Sequence, residues 1–130
     1  MAKTPVVLKV DGFKDREVLG VNYKFNQAID DEGQMAGIPR GGKITIRVKA
    51  LNDGNPDLLK WMTTPYLGKK GSVEFNETGT GNLMKTIEFE DGYCVNFTEN
   101  WEDKEGHWEE IILSCRKIGV GPVSYENEWA

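Results

Sequence analysis

Apolar side chains recur at every second position through most of this chain, a period that suits a sheet face and no helix. Leu19, Val21, Tyr23 and Phe25 alternate with Val18, Gly20, Asn22 and Lys24, predicting a half-buried strand. Ile44, Ile46, Val48 and Ala50 alternate with Lys43, Thr45, Arg47 and Lys49, and Val73 and Phe75 alternate with Ser72, Glu74 and Asn76. Leu83, Ile87 and Phe89 share a face with Lys85, opposite Met84, Thr86, Glu88 and Glu90. Tyr93, Val95 and Phe97 alternate with Cys94, Asn96 and Thr98, and a last long strand runs from about Trp108 to Ile118. The run from Asn76 to Asn82 reads as a hairpin connection, and Glu90-Asp91-Gly92 as a tight turn whose Asp-Gly pair suits positive φ. With the short run Val6–Val10, roughly seven strands result, in an antiparallel barrel or sandwich. The 130 residues form a single domain, residues 1–130, large enough to bury a core without staples.

One helix interrupts the pattern over about residues 55–63. Asn55 can accept from the free N–H groups of the first turn, Pro56 loses nothing at the first helical position, and Asp57 favours the positive end of the dipole. Leu58, Leu59 and Met62 form an apolar stripe with Trp61 at its edge, and Thr63-Thr64-Pro65 stops the helix. Two turns are marginal in isolation, so the helix must pack on the barrel.

Between the strands ending near Phe25 and beginning near Ile44 lies a stretch with no period, Ala28 to Gly42. Structureless connections longer than about 12–15 residues are uncommon in compact domains and are usually functional or disordered. Met35, Ile38 and Pro39 sit among its charges Asp31, Glu32 and Arg40, so it does not read as a solvated linker. A long arm on a small β domain needs a partner to hold it, and another copy of the chain is the candidate.

Charge narrows the partners. Residues 99–110 carry Glu99, Glu102, Asp103, Glu105, Glu109 and Glu110 against Lys104, which equals the whole net charge of −5. An acidic chain without a basic stripe is a poor nucleic-acid binder. Lys43, Arg47 and Lys49 put three cations on one outward strand face, so this strand and the acidic residues Glu102, Asp103 and Glu109 can dock between neighbouring copies. The same carboxylates lack the alternating spacing and central glycine of a calcium loop. No stretch approaches the ~18 apolar residues of a membrane span. The opening Met1–Pro5, followed by five strand-like residues including Lys9, is too short and polar for a signal-peptide core.

Catalytic apparatus is not visible. The sole histidine, His107, is expected as a solvated residue at the tip of the acidic hairpin. Gly79-Thr80-Gly81 lacks the lysine and helix of a phosphate loop and reads as a turn, and the Asn-x-Thr triplets at Asn76 and Asn96 as chance matches. No cofactor or metal is expected, and Cys94 and Cys115 lack metal-ligand spacing. A hairpin centred on Asp103 to Gly106 would set Trp101 opposite Trp108 and Cys94 opposite Cys115, near enough for oxidation, with two reduced core or half-buried thiols as the plainer reading.

The order of these elements resembles the haemolysin-coregulated protein (Hcp) family of the type VI secretion system. The resemblance rests on the strand Val18-Leu19-Gly20-Val21-Asn22-Tyr23-Lys24-Phe25, an extended loop, Gly41-Gly42-Lys43, the helix start Asn55-Pro56-Asp57-Leu58-Leu59, and the ending Leu113-Ser114-Cys115-Arg116-Lys117-Ile118. The divergent Bacteroidetes members, often called TssD, are similar at Arg40-Gly41-Gly42, at Phe89-Glu90-Asp91-Gly92-Tyr93 and in the tail Glu126-Asn127-Glu128-Trp129. The resemblance implies a two-sheet β-barrel forming six-membered rings that stack into a tube, expelled by a contracting sheath and capped by a spike protein. It also implies effector proteins carried in the lumen, no catalytic activity, and export from the cytoplasm without a signal peptide. In that family the loop contributes to stacking, which assigns a ring-stacking role to Asp31, Glu32, Gln34, Met35, Ile38, Pro39 and Arg40.

Phage-tail and other contractile-injection tubes share this architecture and form the nearest neighbouring reading. A monomeric ligand-binding barrel would use Trp61, Trp101 and Trp108 as exposed aromatics. A small hydrolase would need Glu102, Asp103 and Glu109 to converge on a pocket, whereas they are expected to splay into solvent.

Overall fold

A computed structural model describes residues 6–51, 53–77, 80, 82–104 and 106–128. The opening Met1–Pro5, the glycines of Gly79-Thr80-Gly81, Glu105 of the acidic run and Trp129 of the tail lie outside the described residues. The elements are β1 (Val6–Val10), β2 (Arg16–Asn26), β3 (Arg40–Lys49), α1 (Asp57–Thr63), β4 (Lys69–Asn76), β5 (Leu83–Glu102), β6 (Gly106–Val120) and β7 (Val123–Glu126). Every strand pairing is antiparallel, in the order β3-β2-β1-β4-β5-β6-β7, and an additional β3–β6 pairing closes the circuit into a barrel.

Among the described residues seven strands and one helix match the expected inventory, but the chain divides differently. Asp91-Gly92 does not turn: it lies inside the continuous strand β5. Asp91 takes φ 48°, fulfilling the expected left-handed conformation, yet the residues around it stay paired to β6 as Glu90↔Lys117 and Gly92↔Cys115. The irregularity falls on the other side, where the β4 register shifts between Lys69 and Gly71. Gly92 is required by close approach, since a Cβ there would lie 2.8 Å from the Phe89 ring. The seventh strand is β7, a short segment that pairs with the end of β6.

Two bulges reverse the expected faces, because one inserted residue flips every side chain beyond it. The β2 register shifts between Val18 and Gly20, so Val18 enters the core and Leu19 is 53% exposed. A second shift between Cys94 and Asn96 buries Cys94 and leaves Val95 outside. The hairpin register differs as well: near the turn Trp101 opposes His107 and Asn100 opposes Trp108, one residue from the expected pairing, and the bulge adds a second residue, so that Cys94 opposes Leu113 and Gly92 opposes Cys115. Both cysteines are free and buried.

The core collects Leu8 from β1, Ile44, Ile46 and Val48 from β3, Val73 from β4, Ile87 and Phe89 from β5, and Ile111, Leu113 and Ile118 from β6. The helix covers one side of it. Asn55 Oδ1 accepts from Asp57 N at 2.9 Å, as expected, but the helix begins one residue later than expected: Asp57 is its first residue, and Pro56 takes the cap position without a side-chain capping bond. Trp61 is the centre of the buried stripe rather than its edge: it is 1% exposed, stacks on Phe89 and donates Nε1–H to the Leu67 carbonyl at 2.9 Å. Leu59 faces solvent instead. Among the described residues no helix is long and apolar enough to cross a membrane.

A candidate assembly surface at the two ends of strand β3

The aperiodic stretch is shorter than its sequence suggests, because β3 begins at Arg40 rather than near Ile44. Residues 27–39 form an arm with its own order. Ile29 and Met35 make an isolated antiparallel bridge, Asp30 N donates to Gln34 O and Ala36 N to Ala28 O, both at 2.8 Å. Asp30 Oδ1 accepts from Glu32 N and Gln34 N, each at 2.9 Å, and Gly33 closes the turn at φ 84°. A carboxylate accepting two backbone N–H groups is a local substitute for a longer ladder. Polar contacts therefore fold the arm, and its apolar side chains stay outside it: Ile29 is 65%, Met35 72% and Ile38 65% exposed. Asp31, Glu32, Gln34, Pro39 and Arg40 are exposed as well.

At the arm's base the two family-like strings Arg40-Gly41-Gly42 and Glu126-Asn127 meet. Along one edge, β6 pairs with β3 over Trp108–Ser114 and with β7 over Lys117–Val120, leaving a seam at Cys115 and Arg116. Asn127 fills that seam. Its N–H donates to Arg116 O at 2.7 Å, and its Nδ2 donates to Cys115 O at 2.9 Å and to Gly41 O at 3.2 Å. Tyr125 O–H lies 3.0 Å from both Pro39 O and Asn127 Oδ1, and its ring packs edge-on against Phe25 with centroids 5.2 Å apart. Both glycines are needed here. A Cβ on Gly41 would lie 2.2 Å from the Phe25 ring, and one on Gly42, at φ 99°, would lie 2.6 Å from Asn127 Nδ2 and 2.7 Å from Cys115 O.

At the opposite end of β3 stands the acidic β5–β6 hairpin. Of the charges expected to bridge copies, two are consumed within the chain. Glu109 turns inward and pairs with Arg16, itself 4% exposed, whose Nη2 also donates to Lys49 O at 3.0 Å. Arg47 pairs with Glu110 at 3.2 Å and lies 4.0 Å over the Trp108 ring. Sequence reasoning missed Arg16, because the bulge after Val18 that turns both Val18 and Arg16 to the core face leaves no mark in the strand's alternation. His107 is half-buried, with Nε2 2.7 Å from Glu99 Oε2. What remains exposed is Trp101 (67%), Glu102 and Asp103 at the tip, and Lys43 and Lys49 on β3. Lys43 stands directly opposite Lys24 on β2, and among the described residues neither has an ion-pair partner. Like charges set face to face across strands are destabilising unless something anionic arrives.

The face over β1, β4, β5, β6 and β7 is different. There Lys9 meets Asp15 and Glu74 at 3.9 and 3.6 Å, Lys117 meets Glu90 at 3.8 Å, and Arg116 holds Asp91 at 2.6 Å and Glu126 at 3.0 Å. The Asp91 carboxylate beside it holds the Arg116 guanidinium above its usual range. An open cleft of about 830 Å³ on this face is lined by Lys9, Ser72, Glu88, Glu90, Lys117 and glycine backbone, and among the described residues no tryptophan borders it. Trp61 is in the core, so the three aromatics of the ligand-barrel reading do not form one surface. Glu102, Asp103 and Glu109 do not converge on a pocket, and among the described residues no cluster of His, Cys, Asp and Glu could hold a metal ion.

Comparison with curated protein sequences finds no match. The family model described as TssD, Hemolysin coregulated protein Hcp, matches residues 2–130. Hcp1 from Flavobacterium johnsoniae is similar with a TM-score of 0.87 and 33% identity, covering 94% of this chain and 98% of that one. Hcp1 from E. coli EAEC 042 shares the fold at TM-score 0.75 and 18% identity over 98% and 100% of the two chains. The secreted protein Hcp3 from Pseudomonas aeruginosa shares it at TM-score 0.66 and 16% identity over 98% and 99%. With sequence and fold agreeing across nearly its whole length, this chain belongs to the Hcp (TssD) family.

Proposed function

We propose that this chain is a structural subunit of the type VI secretion inner tube, assembling as hexameric rings that stack head to tail. The observation that carries this reading is the placement of two unlike surfaces at opposite ends of β3. The arm with exposed Ile29, Met35 and Ile38 leaves from Arg40, and the tip with Trp101, Glu102 and Asp103 lies beyond Lys49, which is level with Trp108. A contact between unlike surfaces at opposite ends is heterologous and propagates into a filament. From the level of Ser114 to Gly106 the strand spans roughly 26 Å at about 3.3 Å per residue. That is about three screening lengths at physiological salt, so Lys24 and Lys43 cannot be neutralised by the tip of their own subunit. The acidic tip of another copy is the natural counter-charge, with Lys43, Lys49, Glu102 and Asp103 remaining from the expected set and Lys24 joining it.

In this reading the tube is built in the cytoplasm, expelled by the sheath behind a spike protein, and carries effector proteins in its lumen. Its work is mechanical rather than enzymatic. Removing Asp31 to Ile38 tests it: the barrel should keep its circular dichroism and ring mass, while tubes disappear from electron micrographs. Tubes of normal length from the shortened chain would refute the stacking role of the arm.

A further inference from the structure

Asn127 holds β6 at the one place where that strand changes partners, and the arm leaves the barrel through the same place. We propose that Tyr125 and Asn127 are positioning residues for the arm: docked on β6, the β7 segment fixes the direction in which residues 27–39 project, and tube growth depends on that latch. The inference rests on the stacking role proposed above for the arm.

Three observations support it. First, among the described residues the hydrogen bond that reaches the arm from a remote segment is at its base, Tyr125 O–H to Pro39 O, and Asn127 Nδ2 to Gly41 O holds the start of β3 beside it. The bridge and turn from Ala28 to Ala36 fold the arm on itself but do not aim it. Second, the latch bonds are made by side chains from a segment remote in sequence, and Asn127 sits where the neighbouring position admits only glycine. Gly42 at φ 99° would carry a Cβ into Asn127 Nδ2 and Cys115 O. Third, β7 pairs with β6 through only Val123, Ser124, Tyr125 and Glu126, so it can detach without unpairing β3 from β6. Short edge pairing of this kind belongs to the least stable part of a fold.

The test uses Asn127→Asp, which keeps the shape but sets a carboxylate against the carbonyl oxygens of Cys115 and Gly41. Nitroxide labels at Met35→Cys and Glu88→Cys report the arm's direction, while the buried Cys94 and Cys115 stay unlabelled in the folded protein. The parent chain should give one narrow distance peak. Asn127→Asp should lose that peak and lose tubes, yet keep rings by light scattering. Should Asn127→Asp fail to fold, Tyr125→Phe carries the test, since it removes only the hydroxyl that donates to Pro39 and leaves the ring on Phe25. An unchanged narrow peak in the folded variant overturns the latch. A lost peak with tubes of normal length overturns it too, provided removal of Asp31 to Ile38 abolishes tubes. If the arm-deleted chain still makes tubes, the stacking reading falls, and the latch is then judged on the distance peak alone.

Discussion

The arm and the acidic hairpin both project from the barrel, at opposite ends of one strand, and they solve opposite problems. The arm folds through polar groups: Asp30 caps its turn and Asn127 closes its base, which leaves Ile29, Met35 and Ile38 outside. The hairpin does the reverse with charge. Glu109 is drawn into the core against Arg16, Glu110 is bound by Arg47 and Glu99 faces His107, so among the described residues Glu102 and Asp103 are the carboxylates that stay uncommitted at the tip. The arm holds itself together with polar groups and leaves apolar side chains exposed, whereas the hairpin pairs most of its charges and leaves the carboxylates of its tip exposed. Surface apolarity at one end and surface acidity at the other are therefore residues of folding logic, and both are available to a second subunit.

The largest expected effect breaks the hairpin's inner half. Replacing Glu109 by Ala strands the Arg16 guanidinium in a site where it is 4% exposed. Removing one partner of a buried pair typically costs about 3–5 kcal/mol, to be read as a lower urea midpoint at unchanged slope. The cost falls on the junction of β2, β3 and β6, because Arg16 also donates to Lys49 O. A loss below about 1 kcal/mol, the range of an exposed pair, would show that Glu109 belongs with the tip carboxylates and would erase the contrast between the two halves of the hairpin.

How much of this was legible follows from where the physics is local. Alternation located the strands because each face of β3 meets one environment: Ile44, Ile46 and Val48 are all fully buried. Phase failed at Leu19 and Val95, since a bulge depends on the partner strand's register and leaves no mark in the strand's own pattern. Asp91-Gly92 gave the right backbone conformation and the wrong topology, because left-handed geometry serves a turn and a bulge alike. The arm was legible as an anomaly, but its internal order required knowing that Asp30 reaches forward to Glu32 and Gln34. Arg16 with Glu109, and Asn127 with Gly41, join residues far apart in the chain, so neither pairing carried a sequence signal of its own.

The two cysteines sit between the contrasted ends and report on the barrel that joins them. Cys94 opposes Leu113 toward the hairpin, and Cys115 lies beneath the seam at the arm's base. Burial pushes the Cys94 thiol up to about 11 and the Cys115 thiol up to about 12, from an ordinary 9.0. A folded-state value above the unfolded one means stability that is complete below pH 9.0 and is lost as pH rises toward 11 and 12. The urea midpoint should accordingly stay level from pH 7 to pH 8.5 and decline above pH 9.0. Replacing both cysteines by Ala should remove that decline, even though the small cavities lower the midpoint at every pH. A decline that survives in the double variant would assign the alkaline effect to lysines or tyrosines.

The smallest effect on stability sharpens the contrast most. Glu102→Gln with Asp103→Asn removes two carboxylates from the same acidic run that contains Glu109, at positions that are exposed and have no ion-pair partner among the described residues. Substitutions at such sites fall within about 0.5 kcal/mol of neutral, and relief of repulsion with Glu99 acts in the stabilising direction. The melting temperature should therefore hardly move. Association should move instead: with the counter-charge for Lys24 and Lys43 gone, subunit assembly should weaken at low salt and become less sensitive to added salt, as sedimentation across an ionic-strength series would show. Unaltered salt dependence would mean that the tip carboxylates meet water in the assembly as they do in the monomer. The facing lysines of β2 and β3 would then need an anion from outside the chain, because among the described residues neither has an ion-pair partner and Glu110 on the same outward face is held by Arg47.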